Sequence, residues 1–192
     1  MSTVKVQISV NGEDTSADVE PRLLLAHYLR EQVGLKATNI GCDTTSCGAC
    51  TVLLDGEAVK SCTLLAVQAE GQSVTTMEGL DGASEGTPTH PVTAAFHAEH
   101  GLQCGFCTPG MVMSAVSLIS HDDDLDERKV REGLEGNLCR CTGYHNIVRA
   151  VLVAAGKDPD AEQKAEADSD ELRTAPNFAV GSAHTPAPES GA

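Results

Sequence analysis

The residues of this 192-residue chain best suited to chemistry are its eight cysteines, which fall into two sets of four. The first set has the spacing C-x4-C-x2-C followed by one more thiol, and its members are Cys42, Cys47, Cys50 and Cys62. This spacing is typical of plant-type [2Fe–2S] centres. Small residues and two glycines in the segment 41–50 allow backbone N–H groups to approach the sulfurs of an anionic cluster. A mononuclear zinc site prefers paired knuckles and fits less well, and reactive or structural thiols are the remaining alternative.

The second set joins a C-x2-C pair to a C-x-C pair across a gap of 31 residues, and its members are Cys104, Cys107, Cys139 and Cys141. Spacing alone leaves zinc, a redox disulfide and an iron–sulfur cluster open. Each pair precedes a predicted helix start, at Thr108-Pro109 and at Thr142-Gly143, and two helix N-termini would stabilise an anionic metal–thiolate group. Zinc tetrathiolate is also anionic, so this favours a metal centre of either kind. A second [2Fe–2S] cluster is favoured because a chain with one cluster gains an electron path from another.

Composition narrows the class of protein. A formal net charge of −15 argues against nucleic-acid binding. The chain has no run of about 18 apolar residues, so we expect no membrane insertion. The first eight residues lack an apolar h-region, so we expect no signal peptide, and clustered cysteines in a cytoplasmic protein indicate metal rather than disulfides.

Residue patterns predict an α+β protein whose first domain, residues 1–77, is a β-grasp, ferredoxin-like unit. Its predicted elements are strands over 4–10 and 13–19, a helix from Pro21 to just before Gly34, a hairpin over 51–59 and a strand over 72–76. Alternation of apolar and polar residues indicates the first strand, and Asn11-Gly12 indicates a two-residue hairpin turn. A polar, glycine-containing linker is predicted over residues 78–88.

A four-helix domain is predicted over residues 89–156. Its helices are expected to begin at Thr89-His90-Pro91, at Pro109, at Asp126 and at Thr142, the last ending at Gly156. Residues 157–192 are acidic and almost without large apolar side chains, so we expect a disordered tail or one ordered by a partner. Units of about 75 residues bury little surface and need additional cross-links for stability, which metal centres would supply.

Four motifs in this order resemble the small iron–sulfur subunit of the molybdenum hydroxylases, the xanthine oxidase family. They are Gly41-Cys42-Asp43-Thr44, Cys47-Gly48-Ala49-Cys50, the segment from Gln103-Cys104 to Pro109-Gly110, and Gly136-Asn137-Leu138-Cys139-Arg140-Cys141-Thr142-Gly143-Tyr144. The resemblance covers residues 3–156 and is strongest to the aerobic carbon monoxide dehydrogenases. One departure is Thr45-Ser46, where those enzymes are expected to have Ser-His.

The resemblance implies an electron-transfer subunit without a substrate site or catalytic residue of its own. Electrons would pass from a molybdopterin cytosine dinucleotide on a large subunit, through the helical-domain cluster and the ferredoxin-like cluster, to FAD on a medium subunit. Gln103 would hydrogen-bond the pterin, and the region of Cys139 would approach it. The implied assembly is a dimer of heterotrimers in the cytoplasm, at the inner face of the membrane.

The implied overall reaction is oxidation of carbon monoxide with water to carbon dioxide. Hydroxylation of an aldehyde or a nitrogen heterocycle is the alternative within the family. Two other classes of function stay open: a free-standing ferredoxin-like carrier, which would need neither the helical domain nor Gln103, and a zinc-stabilised interaction module.

Overall fold

The structure, a computed structural model, describes residues 2–80 and 88–161, and its N-terminal half is built on a five-stranded mixed sheet. The strands are β1 (Val4–Val10), β2 (Glu13–Val19), β3 (Thr51–Leu54), β4 (Glu57–Lys60) and β5 (Ser73–Thr75). Their order is β2-β1-β5-β3-β4, with β1 and β5 parallel and the other neighbours antiparallel. Asn11 and Gly12 both have positive φ, as the predicted two-residue turn requires.

One helical segment packs against this sheet. It begins as α1 (Leu25–His27), continues as a wider π-helical stretch over Tyr28–Val33, and ends at Gly34, whose φ of 89° lies in the left-handed region. The predicted start at Pro21 is wrong because Leu24 is extended and forms a β-bridge with Leu65. The sheet and this helical segment share one buried core, which confirms the predicted β-grasp architecture. The core includes Val6, Ile8, Val10, Leu25, Tyr28, Leu29, Val52 and Val74.

The second half is helical. Its helices are α2 (Met77–Leu80), α3 (Pro91–Ala98), α4 (Thr108–His121), α5 (Glu127–Gly133) and α6 (His145–Ala154). The four predicted helices correspond to α3–α6, and the short α2 occupies the start of the predicted linker. Their buried core includes Phe96, Met111, Val112, Ala115, Val130, Ile147, Val148 and Val151.

Two predicted helix starts differ from the structure. Helix α4 begins at Thr108, one residue before the predicted Pro109, and Cys107 is its N-cap residue. The last helix begins at His145 instead of Thr142, because Thr142 turns back to accept a hydrogen bond from the backbone N–H of Tyr144 (3.1 Å). Tyr144 itself has a left-handed φ of 68°, which a helical residue cannot adopt.

The sheet and the helices pack together into one compact unit that extends to residue 159. Helix α4 makes this connection, because it contacts both the helices α3 and α5 and the strands β3 and β4. The predicted domain boundaries stay predictions, and the predicted tail over 157–192 lies outside the described residues beyond 161. Within the described part of the chain, each helix is too short or too polar to cross a membrane.

Candidate metal centres

The first cysteine loop, residues 41–50, lies between the α1 segment and β3. Its backbone bends sharply at Thr45 (φ 64°) and Gly48 (φ 69°). The fourth thiol of the set, Cys62, follows β4 and is brought to the loop by its neighbour Ser61. The backbone N–H and the hydroxyl of Ser61 both donate to the carbonyl oxygen of Cys50, at 3.3 and 2.7 Å.

The thiols of the first set contact each other in two pairs, Cys42 with Cys47 and Cys50 with Cys62. The backbone N–H groups of Cys47 and Thr44 donate to the sulfur of Cys42 and lower the pKa of this thiol to about 6. Burial has the opposite effect at Cys50, whose pKa rises to about 11. The loop therefore presents one thiol that ionises easily and another that stays protonated until metal binding displaces its proton to solvent.

The second set is assembled from two loops, one before α4 and one between α5 and α6. The Sγ atoms of Cys141 and Cys104 lie 3.5 Å apart, and Cys107 contacts Cys139. Each contacting pair therefore takes one thiol from each loop. A left-handed turn at Gly105 (φ 81°) separates the two thiols of the first loop.

Local hydrogen bonds and burial again give the thiols of the second set different pKa values. Burial raises the pKa of Cys107 to about 12. The backbone N–H of Phe106 donates to the sulfur of Cys104 and lowers the pKa of that thiol. Burial alone would raise the pKa of Cys139, but the hydroxyl of Thr142, 3.2 Å from the sulfur, and its backbone N–H outweigh burial and lower it.

Helix N-termini contribute less charge to the second set than the sequence predicted. Helix α4 does begin directly after Cys107, but α6 begins four residues after Cys141, so the proposed second dipole does not start beside a thiol. A side chain holds the second loop instead. The hydroxyl of Tyr144 accepts a hydrogen bond from the backbone N–H of Cys139 (2.9 Å) and donates to the carbonyl oxygen of Asn137 (3.1 Å).

The donor chemistry of both sets fits a [2Fe–2S] cluster. Among residues 2–80 and 88–161, no three His, Cys, Asp or Glu side chains converge to hold a single metal ion. The eight thiols instead meet in four pairs, and a [2Fe–2S] cluster takes four thiolates, two at each iron. The buried hydroxyl of Thr108, next to Cys107, has no hydrogen-bond partner within the described chain and is available as a donor to a cluster sulfur.

The two cysteine loops touch each other directly at a contact that we call the junction. It consists of residues 47–48 of the first loop, Gly110 of α4 and residues 136–138 of the second loop. The backbone N–H of Leu138 donates to the carbonyl oxygen of Cys47 (2.8 Å). The side-chain amide of Asn137 donates to the carbonyl oxygen of Gly48 (3.0 Å). One hydrogen bond thus connects the backbone of a first-set cysteine to the residue before Cys139.

The second set lies nearer the surface of this chain than the first. Cys104 and Cys141 are exposed, whereas the first-set thiols are half-buried or, at Cys50, buried. Three apolar side chains in the same loops are also exposed, and we call them the apolar rim: Leu102 (40%), Phe106 (49%) and Leu138 (54%). Gln103 is exposed within this rim.

Sequence reasoning did not identify the residues that hold the loops together. Asn137 and Tyr144 stand inside the last cysteine motif but carry no periodic or spacing signal. Gly110 did carry a usable signal, because glycine in a helix costs about 1 kcal/mol relative to alanine and is retained where another backbone comes close.

Two protein-family models match the chain. Residues 8–77 match the 2Fe-2S iron-sulfur cluster binding domain, and residues 76–152 match the [2Fe-2S] binding domain. The chain is 46% identical to caffeine dehydrogenase subunit gamma of Pseudomonas sp. (strain CBB1), over 79% of this chain and 90% of that protein. It is 42% identical to the xanthine dehydrogenase iron-sulfur-binding subunit of Escherichia coli O157:H7, over 78% and 93%. Among solved structures, quinoline 2-oxidoreductase from Pseudomonas putida 86 matches with a TM-score of 0.75 and 42% identity, over 86% of this chain and 99% of that chain.

Proposed function

The chain belongs to the small, electron-transferring iron–sulfur subunits of the molybdenum hydroxylase family, and we propose that it connects a molybdopterin cofactor on a large subunit to FAD on a medium subunit. It carries two [2Fe–2S] clusters, each of which accepts and donates one electron at a time. The assembly that we propose is a dimer of heterotrimers. The cytoplasmic location stays a prediction.

In this proposal each cysteine set holds one cluster. The ligands of the first are Cys42, Cys47, Cys50 and Cys62, and those of the second are Cys104, Cys107, Cys139 and Cys141. The pairwise sulfur contacts in both sets support this assignment. Backbone N–H groups and the Thr142 hydroxyl donate to the sulfurs, so they offset the negative charge that each thiolate set gathers.

The observation that carries the direction of transfer is the exposure of the second set within the apolar rim. Exposed apolar side chains in the two loops that carry these exposed thiols are suited to burial against another subunit. We therefore propose that the large subunit covers this surface and that electrons enter here. Gln103 lies in the rim, where its amide would hydrogen-bond the pterin, with Cys139 as the nearest thiolate region to the cofactor.

The substrate is oxidised on the large subunit, and no residue of this chain is proposed as catalytic. Hydroxylation of a nitrogen heterocycle is supported by the relatives, whose names specify caffeine, xanthine and quinoline. An aldehyde is the alternative substrate within the family. The motif resemblance favours carbon monoxide, which stays a prediction, and Thr45-Ser46 departs from the pattern expected for that substrate. Turnover assays of the purified complex with carbon monoxide, aldehydes and purines separate the two.

Metal analysis and EPR of the purified complex test the cluster assignment. We expect about four irons per chain and two distinguishable [2Fe–2S] signals after reduction. A colourless chain that contains zinc would contradict the proposal.

Gln103→Ala tests the proposed entry point. The variant complex should show slower cluster reduction by substrate, while reduction by dithionite and both EPR signals stay unchanged. The control is Gln32→Ala, which removes an exposed glutamine of the β-grasp part. Loss of a cluster in the Gln103 variant would give this residue a structural role instead.

A further inference from the structure

We propose that Asn137 is a positioning residue that sets the separation of the two cysteine loops and thereby the rate of electron exchange between the two clusters. The inference rests on the proposed electron-transfer function. With both clusters bound, one electron would pass from the reduced second cluster to the oxidised first cluster, and no bond would break and no proton would move. Asn137 takes no part in the redox chemistry; it fixes the geometry.

The side chain of Asn137 is buried, with 5% exposure, and it contacts three elements. Its Nδ2 donates to the carbonyl oxygen of Gly48 (3.0 Å) and lies 3.4 Å from the hydroxyl of Thr51 in β3. Its Oδ1 accepts a hydrogen bond from the hydroxyl of Ser114 in α4 (2.8 Å). A carbonyl oxygen can only accept, so Nδ2 must be the atom that faces Gly48, and the amide orientation is determined chemically.

The backbone of Asn137 belongs to the other side of the junction. Its N–H donates to the carbonyl oxygen of Leu134 (2.9 Å), and its own carbonyl oxygen accepts from the Tyr144 hydroxyl (3.1 Å). The residue is therefore anchored to the helical part by its backbone and to the first cysteine loop by its side chain. A buried amide with both ends bonded holds one geometry, because moving it would leave polar groups unpaired.

This anchorage determines the position of the next peptide group. The N–H of Leu138 donates to the carbonyl oxygen of Cys47 (2.8 Å), and Cys139 follows directly. The Leu138 side chain is 54% exposed and does not hold its own backbone in place. One connection between the two thiol sets thus runs from Cys139 through Leu138 and its hydrogen bond to the backbone of Cys47. The Asn137 side chain stabilises this connection at the residue before Leu138.

Glycine makes the close approach possible. A Cβ on Gly48 would overlap the carbonyl oxygen of Gly136 and come within 2.7 Å of the Asn137 Nδ2 atom. Gly48 also has a φ of 69°, which disfavours any other residue. The two loops are in backbone contact at this point, so a small rotation of Asn137 changes the distance between the thiol sets directly.

Asn137→Asp in the assembled complex tests the inference. The aspartate keeps the size of the side chain and can still accept from Ser114, but it cannot donate to Gly48. We expect both EPR signals and the full iron content to persist, the magnetic interaction between the reduced clusters to weaken, and the Leu138 amide to exchange hydrogen faster. We also expect electron exchange between the clusters to be slower than in the control variant, because the rate of electron transfer falls as the distance between two centres grows.

The matched control is Asn146→Asp, the same chemical change at a residue whose Nδ2 makes only a 3.5 Å contact with a backbone carbonyl. A second variant, Ser114→Ala, removes one bond to the Asn137 amide and should weaken the magnetic interaction relative to Asn146→Asp. This variant tests the role where the aspartate variant fails to assemble, because an unchanged interaction in it would overturn the proposal. If the aspartate variant matches its control, or loses a cluster, the positioning role is overturned. If the wild-type complex shows no pair of [2Fe–2S] signals, the proposed function itself fails.

Discussion

Replacing Gly110 by alanine should destabilise the protein, although the same change in an ordinary helix stabilises it. Gly110 is the third residue of α4 and faces the first cysteine loop. A Cβ at this position would lie within 2.9 Å of the carbonyl carbon and oxygen of Ala49 and closer still to the carbonyl oxygen of Gly48. Both obstacles are backbone atoms, so no change of side-chain rotamer can relieve the overlap.

The size of the effect follows from these distances. Ordinary van der Waals contact begins at 3.4 Å, so the helix or the loop must move by at least 0.5 Å at Ala49 and by more at Gly48. Overpacking of this kind costs about 1–3 kcal/mol, and it also cancels the gain of about 1 kcal/mol that alanine brings to a helix. We expect a net loss of about 1 kcal/mol, which corresponds to a fall of about 2–4 °C in melting temperature for a chain of this size.

Thermal unfolding of the cluster-loaded protein, followed by circular dichroism and by visible absorbance, measures this loss. Gly136→Ala is the matched control at the same junction. A Cβ on Gly136 would meet only the flexible Lys60 side chain, at 3.6 Å, so its stability should stay within about 0.5 kcal/mol of wild type. Equal melting temperatures for the two variants would refute the close packing of α4 on the first cysteine loop.

Three further outcomes are expected. Loading of the metal-free chain with iron and sulfide should be faster at pH 8.5 than at pH 6.5, and the absorbance of the reconstituted clusters reports the rate. Burial raises the pKa of Cys50 to about 11 and that of Cys107 to about 12, and both thiols must lose their protons before they can bind iron. Tyr144→Phe should lower the stability of the second cysteine loop by about 1 kcal/mol, because it removes the hydroxyl from two hydrogen bonds. The measurement is the rate at which a chelator removes each EPR signal, and one of the two signals should be lost faster than in wild type. His121 has a raised pKa because it bonds to the Ser117 carbonyl and to Glu57 (3.0 Å). His121→Gln should therefore lower the stability of the protein below pH 6.5, and this difference from wild type should vanish as the pH rises through the raised pKa.

Each of these has a clear contrary result. Loading that does not depend on pH would mean that the buried thiols are already ionised in the metal-free chain. Equal chelator sensitivity of both EPR signals in the Tyr144 variant would show that the phenol acts on the whole protein instead of one loop. A constant stability difference between wild type and the His121 variant from pH 5.5 to 8.5 would remove the ion pair to Glu57 as its cause.

Much of the fold could be predicted because its signals are local. Alternation in β1 and the Asn11-Gly12 turn depend on neighbouring residues, and both were predicted correctly. Helix starts were less predictable where tertiary contacts intervene. Leu24 leaves the expected helix to pair with Leu65, far along the chain, and the Thr142 hydroxyl turns back onto the Tyr144 backbone instead of opening α6.

The sequence alone determined the donor chemistry of this protein: thiol type, number and spacing divide eight cysteines into two sets, and their motifs indicate the family. Only the tertiary structure decided how the two sets meet. The bond from Asn137 to Gly48 joins residues 89 positions apart, and the packing of Gly110 against the first loop depends on how α4 docks on the sheet. Local patterns cannot encode such contacts, because they arise from the packing of two separately formed cores, and that packing sets the distance between the two candidate centres.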